Sequence, residues 1–231
     1  MNQSQKIEDD ENAAMDRLAD ACKSAFRSLT SWKMFGRKIK FFWQRLFRGW
    51  DDSETWSLDH TITLFVLPKL TAFVALERLR LHQTSGRQLS LWPWENELMK
   101  MESAFQLLKS EFDVEYTEEE VDIIKDGLSL FADYYQDLTI PYDDILNKEV
   151  KDLNTTITSF VLPRLKRFKE LNNGFPGMDF TEESWDAELD KMILAFNLLN
   201  IRSCYNLSAK DLDNIKKGLR SFATYYGHLW W

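Results

Sequence analysis

Cysteine, proline, glycine and long apolar runs are all scarce in this chain of 231 residues. The two cysteines, Cys22 and Cys204, lie in different segments without a CxxC or Cys/His cluster, which fits a reducing cytoplasm and argues against zinc. Eight glycines are few for a turn-rich β protein. The longest apolar stretches, such as residues 65–67, are far shorter than the roughly 20 residues that cross a bilayer, and no apolar leader opens the chain. These absences predict a soluble, cytoplasmic protein.

The signatures of nucleophilic catalysis are also missing from the sequence. His60, His82 and His228 are not accompanied by a serine or cysteine in a recognisable setting, and there is no glycine-rich phosphate loop. We therefore expect His60 and His228 to be capping or surface residues rather than bases.

Three blocks of the chain recur in the same order. The blocks and their copies are residues 61–70 and 156–165, 94–105 and 185–196, and 122–135 and 213–226. The first copy is displaced by 95 residues and the other two by 91, so a short insertion or deletion lies between them. This pattern predicts a tandem duplication.

Each block has the spacing of an amphipathic helix, with apolar residues at i, i+3 and i+4. Pro68 and Pro163 fall inside the first helix of each unit, and we expect those helices to kink or restart there. Gly127 and Gly218 fall inside the third helices. A helical glycine costs about 1 kcal/mol relative to alanine, so we expect a neighbouring helix to pass close to each one.

Helix-capping signals mark where the later helices begin. Thr117 and Ser208 have the capping-box spacing before the third helices, with Asp211 in place of the usual Glu or Gln, and Thr181 precedes the second helix of the second unit. The predicted fold is all-α, a tandem duplication of a three-helix unit with an N-terminal basic amphipathic helical arm. Its predicted parts are an acidic tip and arm at residues 1–50, a first repeat at 51–140 and a second at 141–231.

Several strings resemble helical proteins of unknown function encoded by tailed bacteriophages. They are the WSLD string of residues 56–59, LPRLKRF of 162–168, WDAELDKMILAF of 185–196 and the GL to LW stretch of 218–230. The resemblance extends from Phe41 to the end of the chain. It implies a viral origin and action in an infected bacterial cell, but no particular chemistry.

The first of three candidate functional sets is a basic segment at residues 32–50, which contains no acid. On a helical wheel an aromatic and aliphatic set shares one face, namely Trp32, Phe35, Ile39, Phe42, Trp43, Leu46 and Trp50. A polar, mostly basic set shares the other face, namely Lys33, Arg37, Lys40, Gln44 and Arg48. Such a helix suits the groove of a host protein, an anionic membrane or the phosphates of a nucleic acid, unless its apolar face packs on the repeats. The predicted partner-binding residues are Lys33, Arg37, Lys40, Trp43, Arg45 and Arg48.

The second set is acidic. Glu182, Asp186 and Asp190 lie at helical spacing, and carboxylates one turn apart bind magnesium with nucleotide phosphates in helical pyrophosphatases. A second acidic helix would have to contribute, and the first repeat has Met99 where the second has Asp190. The alternative is that these acids are solvated or take part in ordinary helix pairs.

The third set combines cations with tyrosines and is a candidate anion or ligand pocket. Its members are Lys69, Lys100, Arg164, Lys191, Tyr135 and Tyr226. They would form a pocket for a phosphorylated molecule only if the fold brings them together.

We therefore predict a non-catalytic binding protein, a phage accessory protein that engages a host macromolecule through residues 32–50, most readily a host protein. It would need no cofactor. The alternatives are a magnesium-dependent nucleotide pyrophosphohydrolase that uses the acidic set and a protein that sequesters a nucleotide between its units.

Overall fold

The computed structural model describes residues 36–84, 95–109, 115–139, 148–171, 174–177, 180–200 and 207–230. These residues are mostly helical and contain no strand beyond two isolated bridges, which confirms the all-α class. Two compact units divide the chain, residues 1–53 and residues 54–231. The predicted acidic tip lies outside the described residues.

In the first unit the described part of helix α1 covers residues 36–48. A 3-10 turn at Asp52–Thr55 follows. The helices of the second unit are α2 (Leu58–Thr84), α3 (Glu95–Leu108), α4 (Glu118–Tyr134), α5 (Lys148–Lys151), α6 (Leu153–Leu171), α7 (Glu182–Asn200) and α8 (Ala209–Thr224). Short 3-10 turns, Tyr135–Asp137 and Tyr226–His228, extend α4 and α8.

Helices α2 and α6 continue through the prolines inside them. The expected restart at Pro68 and Pro163 therefore does not occur. A proline frees the carbonyl four residues earlier, which here belongs to Leu64 and Ser159. Both residues are exposed, so water can satisfy the freed carbonyls without ending the helix.

The predicted caps and glycine contacts of the later helices are confirmed. Thr117 with Glu120 and Ser208 with Asp211 each form a complete capping box at the start of α4 and α8. A Cβ on Gly127 would lie 2.6 Å from the carbonyl oxygen of Lys100 in α3, and a Cβ on Gly218 would overlap the carbonyl of Lys191 in α7. The two glycines thus allow α4 to pack on α3, and α8 on α7, at backbone distance.

Six aromatic side chains form a closed ring at the centre of the second unit. Each packs edge to face on the next, with centroid distances between 5.2 and 6.0 Å. In order around the ring they are Phe105, Phe131, Tyr135, Phe196, Phe222 and Tyr226, all exposed by 1% or less. Residues 91 positions apart lie opposite each other in the ring, and each half of the unit supplies three consecutive members. Offset and edge-to-face pairs of this kind add about 0.5–1.5 kcal/mol each beyond the apolar area they bury.

The two tyrosines of this ring tie the halves together by matching hydrogen bonds. Tyr226 donates to the main-chain oxygen of Asp59 at 2.7 Å and lies 2.9 Å from the Thr63 hydroxyl. Tyr135 likewise donates to the oxygen of Asn154 at 2.9 Å and lies 3.0 Å from Thr158. Each half therefore holds the start of the other half's first helix.

The chain segments beside the tyrosines repeat this exchange in the backbone. Leu58 donates to the oxygen of Leu229 at 2.8 Å, and Asn154 donates to that of Leu138 at 3.1 Å. Isolated bridges accompany them, one pairing Ser57 with Trp230 and one pairing Thr139 with Asp152. The end of the described chain is thereby fixed against the start of α2.

Asp59 and Asn154 both accept a tyrosine hydrogen bond at their main-chain oxygen, but the side-chain amide of Asn154 can also donate, which a carboxylate cannot. Asn154 donates from Nδ2 to the oxygen of Gln136 at 3.2 Å. Burial raises the pKa of Asp59, although the His60 amide, which donates to its Oδ1 at 2.8 Å, opposes the shift. A carboxyl whose folded-state pKa is raised stabilises the fold when protonated, and this contribution is lost as the pH rises through the folded pKa.

We therefore expect Asp59→Asn to stabilise the protein at neutral pH. The substitution removes a partly buried charge and supplies the donor that Asn154 has. The melting temperature should rise by roughly 1–4 °C at about pH 7 and change little at about pH 3, where both states bind the proton. Differential scanning calorimetry at both pH values tests this, with exposed Asp126→Asn as the control. A lower melting temperature at neutral pH would contradict the argument.

Candidate functional site: the aromatic face of α1

Helix α1 presents a face of large apolar side chains to solvent. Phe47 is 77% exposed, Phe42 64%, Leu46 61%, Trp43 50% and Ile39 44%. Burying an aromatic or aliphatic side chain of this size is worth about 1.5–3 kcal/mol, so exposing five on one face is costly. Contiguous exposed apolar surface of this kind marks interaction sites in soluble proteins.

The rings on this face are arranged against each other. Trp43 stacks on Phe47 with a centroid distance of 5.4 Å and an interplanar angle of 10°. Phe42 meets Trp43 edge to face at 6.2 Å. The spacing of residues 39, 42, 43 and 46 places them on one side of the helix, as the sequence predicts. Helical periodicity thus produces the face, which the sequence alone could not show to be exposed.

Four polar side chains of α1 outside this face contact an acidic pair that follows the helix, Asp51 and Asp52. Lys40 Nζ lies 2.8 Å from Asp52 Oδ2, Arg48 Nη2 lies 2.7 Å from Asp52 Oδ1, and Gln44 donates to Asp52 Oδ2 at 2.8 Å. Arg45 Nε lies 2.5 Å from Asp51 Oδ2. Asp51 and Asp52 are buried. Much of the basic charge of the helix is therefore balanced within the same unit.

The predicted partner-binding residues thus fall into three groups. Trp43 lies on the exposed aromatic face, and Arg37 is exposed on the helix. The cations of Lys40, Arg45 and Arg48 are ion-paired, and Arg48 also lies 4.3 Å above the Trp50 ring. Lys33 lies outside the described residues. The sequence predicted mainly basic residues as the contact, whereas the exposed face of the helix in the structure is aromatic and aliphatic.

The members of the cation and tyrosine set occupy different environments in the second unit. Tyr135 and Tyr226 are fully buried, and burial raises the pKa of both phenols. Lys100 and Lys191 are exposed, and Lys191 pairs with Glu188 on its own helix at 2.5 Å. The structure does not bring these lysines and tyrosines to a common surface.

Lys69 and Arg164 belong instead to a column of four side chains that the sequence reading missed. Phe65 and Phe160 stack at a centroid distance of 3.6 Å and an angle of 10°. Lys69 Nζ lies 3.8 Å above the Phe65 ring, and the Arg164 guanidinium lies 3.6 Å above the Phe160 ring. The signal for this column is the Phe-x-x-x-Lys/Arg spacing present in both first helices, which places each cation beside its own ring.

The cation at each end of the column forms an ion pair with a carboxylate. Arg164 donates from Nε and Nη2 to one oxygen of Glu54, at 3.0 and 2.8 Å, and from Nη1 to the oxygen of Phe160. Lys69 lies 3.5 Å from Glu149. Desolvation lowers the pKa of Arg164, and Glu54 counteracts this. With their charges satisfied, these two cations stabilise the packing of α2 on α6.

The acidic set lies on the exposed side of α7. Asp186 and Asp190 share Lys169, whose Nζ lies 3.6 Å from the first and 2.7 Å from the second, and Glu182 is exposed near the start of the helix. Among the described residues no three His, Cys, Asp or Glu side chains gather as metal ligands would. Two of the predicted magnesium ligands, Asp186 and Asp190, therefore have a lysine ammonium between them.

Helix α2 contains a long apolar stretch. Its stretch Leu58–Arg78, 21 residues long, is by length and composition sufficient to cross a membrane, and it is the one such stretch in the described chain. A buried core helix passes the same test. Leu58, Ile62, Val66, Leu70 and Phe73 are exposed by 1% or less, in the interior of the second unit.

Comparison of the chain with protein family models, with characterised proteins and with solved structures gives no match.

Proposed function

We propose that this chain is a non-catalytic binding protein whose contact surface is the aromatic face of α1, defined by Ile39, Phe42, Trp43, Leu46 and Phe47. The observation that carries the proposal is the exposure of these five side chains, between 44% and 77%. A face of this size in water is explained if another surface covers it during function.

We further propose that the second unit is a tandem duplication of a three-helix unit and that α1 is the arm it carries. The reciprocal tyrosine hydrogen bonds, the paired glycines and the Phe65 to Phe160 stack support the duplication, because each contact has a counterpart at the repeated position. Because these contacts stabilise the second unit internally, we propose that this unit serves as a stable support for α1.

Following the resemblance to phage proteins, we propose that the partner is a component of a bacterial host cell. A binding protein of this kind would act by occupying or redirecting a host component in the cytoplasm. The ion pairs of Lys40, Arg45 and Arg48 favour the aromatic side chains over these cations as the main source of binding energy.

Substituting the face should abolish partner binding without unfolding the protein. We expect Phe42→Ser/Phe47→Ser to lower the amount of any specific partner captured from bacterial lysate by at least about 10-fold, because central aromatic residues contribute 2 kcal/mol or more to typical interfaces. Affinity capture with the full chain, followed by mass spectrometry of bound proteins, nucleic acids and lipids, measures this.

The matched control is Leu194→Ser/Leu212→Ser, which removes two exposed apolar side chains, 44% and 45% exposed, from α7 and α8. The control should retain the partner, and circular dichroism should show both variants to be helical. Equal capture by the wild type and by the Phe42→Ser/Phe47→Ser variant would refute the proposed contact. Loss in the control variant alone would move the contact to the second unit.

A further inference from the structure

We infer that the partner of the aromatic face is the anionic surface of a phospholipid bilayer, on which α1 lies parallel to the membrane plane. The inference rests on the proposed function and identifies the partner. It is drawn from the shape of the face, the position of its flanking charges and the absence of acid from residues 36–48.

Around α1 the apolar side chains form one arc with cations at both of its edges, as in helices that lie at a membrane interface. At about 100° per residue, positions 39, 42, 43, 46 and 47 span an arc of roughly 140°. Lys40 lies at one edge of this arc, and Lys38 and Arg45 lie at the other. Cations on both edges allow the apolar side chains to enter the acyl boundary while the charged groups reach the phosphates on either side.

Charge favours an anionic surface despite the acidic pair. Residues 36–53 carry five basic and two acidic side chains, so the segment keeps a net charge of +3. The side chains of Arg45 and Lys40 remain 64% and 55% exposed within their ion pairs. Because Asp51 and Asp52 are buried, these cations stay paired with them, and an anionic surface is attracted by the net positive charge that remains.

Two other occupants fit the same face less well. Bases of a nucleic acid stack on separate, open rings, but here Trp43 stacks on Phe47 and two of the five side chains, Ile39 and Leu46, are aliphatic. A second copy of the chain would bring two acid-free helices together along their basic edges, where like charges repel.

Vesicle co-sedimentation of the full-length protein tests the inference. We expect binding to vesicles of phosphatidylglycerol and phosphatidylethanolamine to exceed binding to pure phosphatidylcholine vesicles by at least about 10-fold, and to weaken as salt is added. Phe42→Ser/Phe47→Ser should lower binding at least about 10-fold, because two buried aromatic groups are lost. Lys38→Glu should lower it by a similar factor on anionic vesicles alone.

Two controls match these variants on the second unit. Leu194→Ser/Leu212→Ser and Lys217→Glu should bind vesicles as the wild type does, the latter because Lys217 is an exposed lysine of α8. Equal binding to both vesicle types, no sedimentation, or equal loss in the control variants would overturn the membrane inference.

The outcome also separates this inference from the proposed function. If vesicles are not bound but capture of a protein or nucleic acid from membrane-free lysate still requires Phe42 and Phe47, the face is a contact surface and the membrane inference falls. A salt-independent dimer that is lost in the Phe42→Ser/Phe47→Ser variant would assign the face to a second copy. If no binding of any kind depends on these residues, both proposals fall.

Discussion

Alanine at Gly218 or Gly127 is expected to lower the free energy of unfolding by about 2–3 kcal/mol or more, although alanine is the better helix former. In an open helix the change from glycine to alanine adds about 1 kcal/mol of stability. Here the new Cβ would overlap the carbonyl of Lys191, or approach that of Lys100 to 2.6 Å, as well as the Cβ of Ala195 or Ala104. Backbone atoms cannot move aside as a flexible side chain can, so α8 must shift from α7, or α4 from α3.

Urea unfolding followed by circular dichroism measures this effect. Gly36→Ala and Gly227→Ala are suitable controls, because a Cβ at either position would meet nothing within 4 Å. The controls should be neutral or stabilised, within about 1 kcal/mol. Stabilisation of Gly127→Ala and Gly218→Ala to the same degree as the controls would disprove the close helix contact.

The second large effect is expected at the two buried tyrosines. Removing the Tyr226 hydroxyl by Tyr226→Phe leaves the oxygen of Asp59 and the hydroxyl of Thr63 without this partner, and we expect a loss of about 1–3 kcal/mol. Tyr135→Phe should cost a similar amount through Asn154 and Thr158. Tyr226→Ala also opens the aromatic ring and should cost about 3–5 kcal/mol.

Alkaline pH provides a second test of the same tyrosines. Burial raises the pKa of both phenols in the folded state. The stability that follows from the raised pKa is present below the unfolded pKa of about 10 and is lost as the pH rises through the folded pKa. Wild-type stability should therefore fall as the pH rises above about 10, and the double Phe variant should show a smaller fall.

Urea midpoints measured across this pH range give the result, with Tyr116→Phe as the control for a tyrosine outside the ring. An identical pH dependence in the wild type and in the double variant would show that the buried phenols do not control alkaline unfolding. Equal stability of the wild type and the single Phe variants at neutral pH would show that the hydrogen bonds between the halves contribute nothing.

Local features of the sequence predicted a large part of the fold. The capping boxes at Thr117 and Ser208 depend on residues three positions apart, so their spacing is readable along the chain. The amphipathic periodicity indicated helices and the burial of Leu128, Phe131 and Tyr135. Gly127 and Gly218 were informative because glycine is unfavourable in a helix unless a neighbour requires the space.

The continuation of α2 and α6 through proline was not predictable in the same way. Whether proline ends a helix depends on how the freed carbonyl is satisfied and on the packing of the helix beyond it. Leu64 and Ser159 face solvent, while α2 and α6 pack on each other through the Phe65 to Phe160 stack. These facts belong to the folded molecule rather than to the sequence around Pro68 and Pro163.

The same distinction between local pattern and tertiary packing applies to the candidate site on α1. The sequence by itself determined the helical class, the capped helix starts and the separation of aromatic and basic residues around α1, because each follows from spacing within a few turns. Only the tertiary structure decided which side of α1 is open, that Lys40 and Arg48 meet Asp52, and that Tyr226 reaches Asp59. Exposure and pairing between residues far apart depend on the packed backbone, which no local pattern encodes.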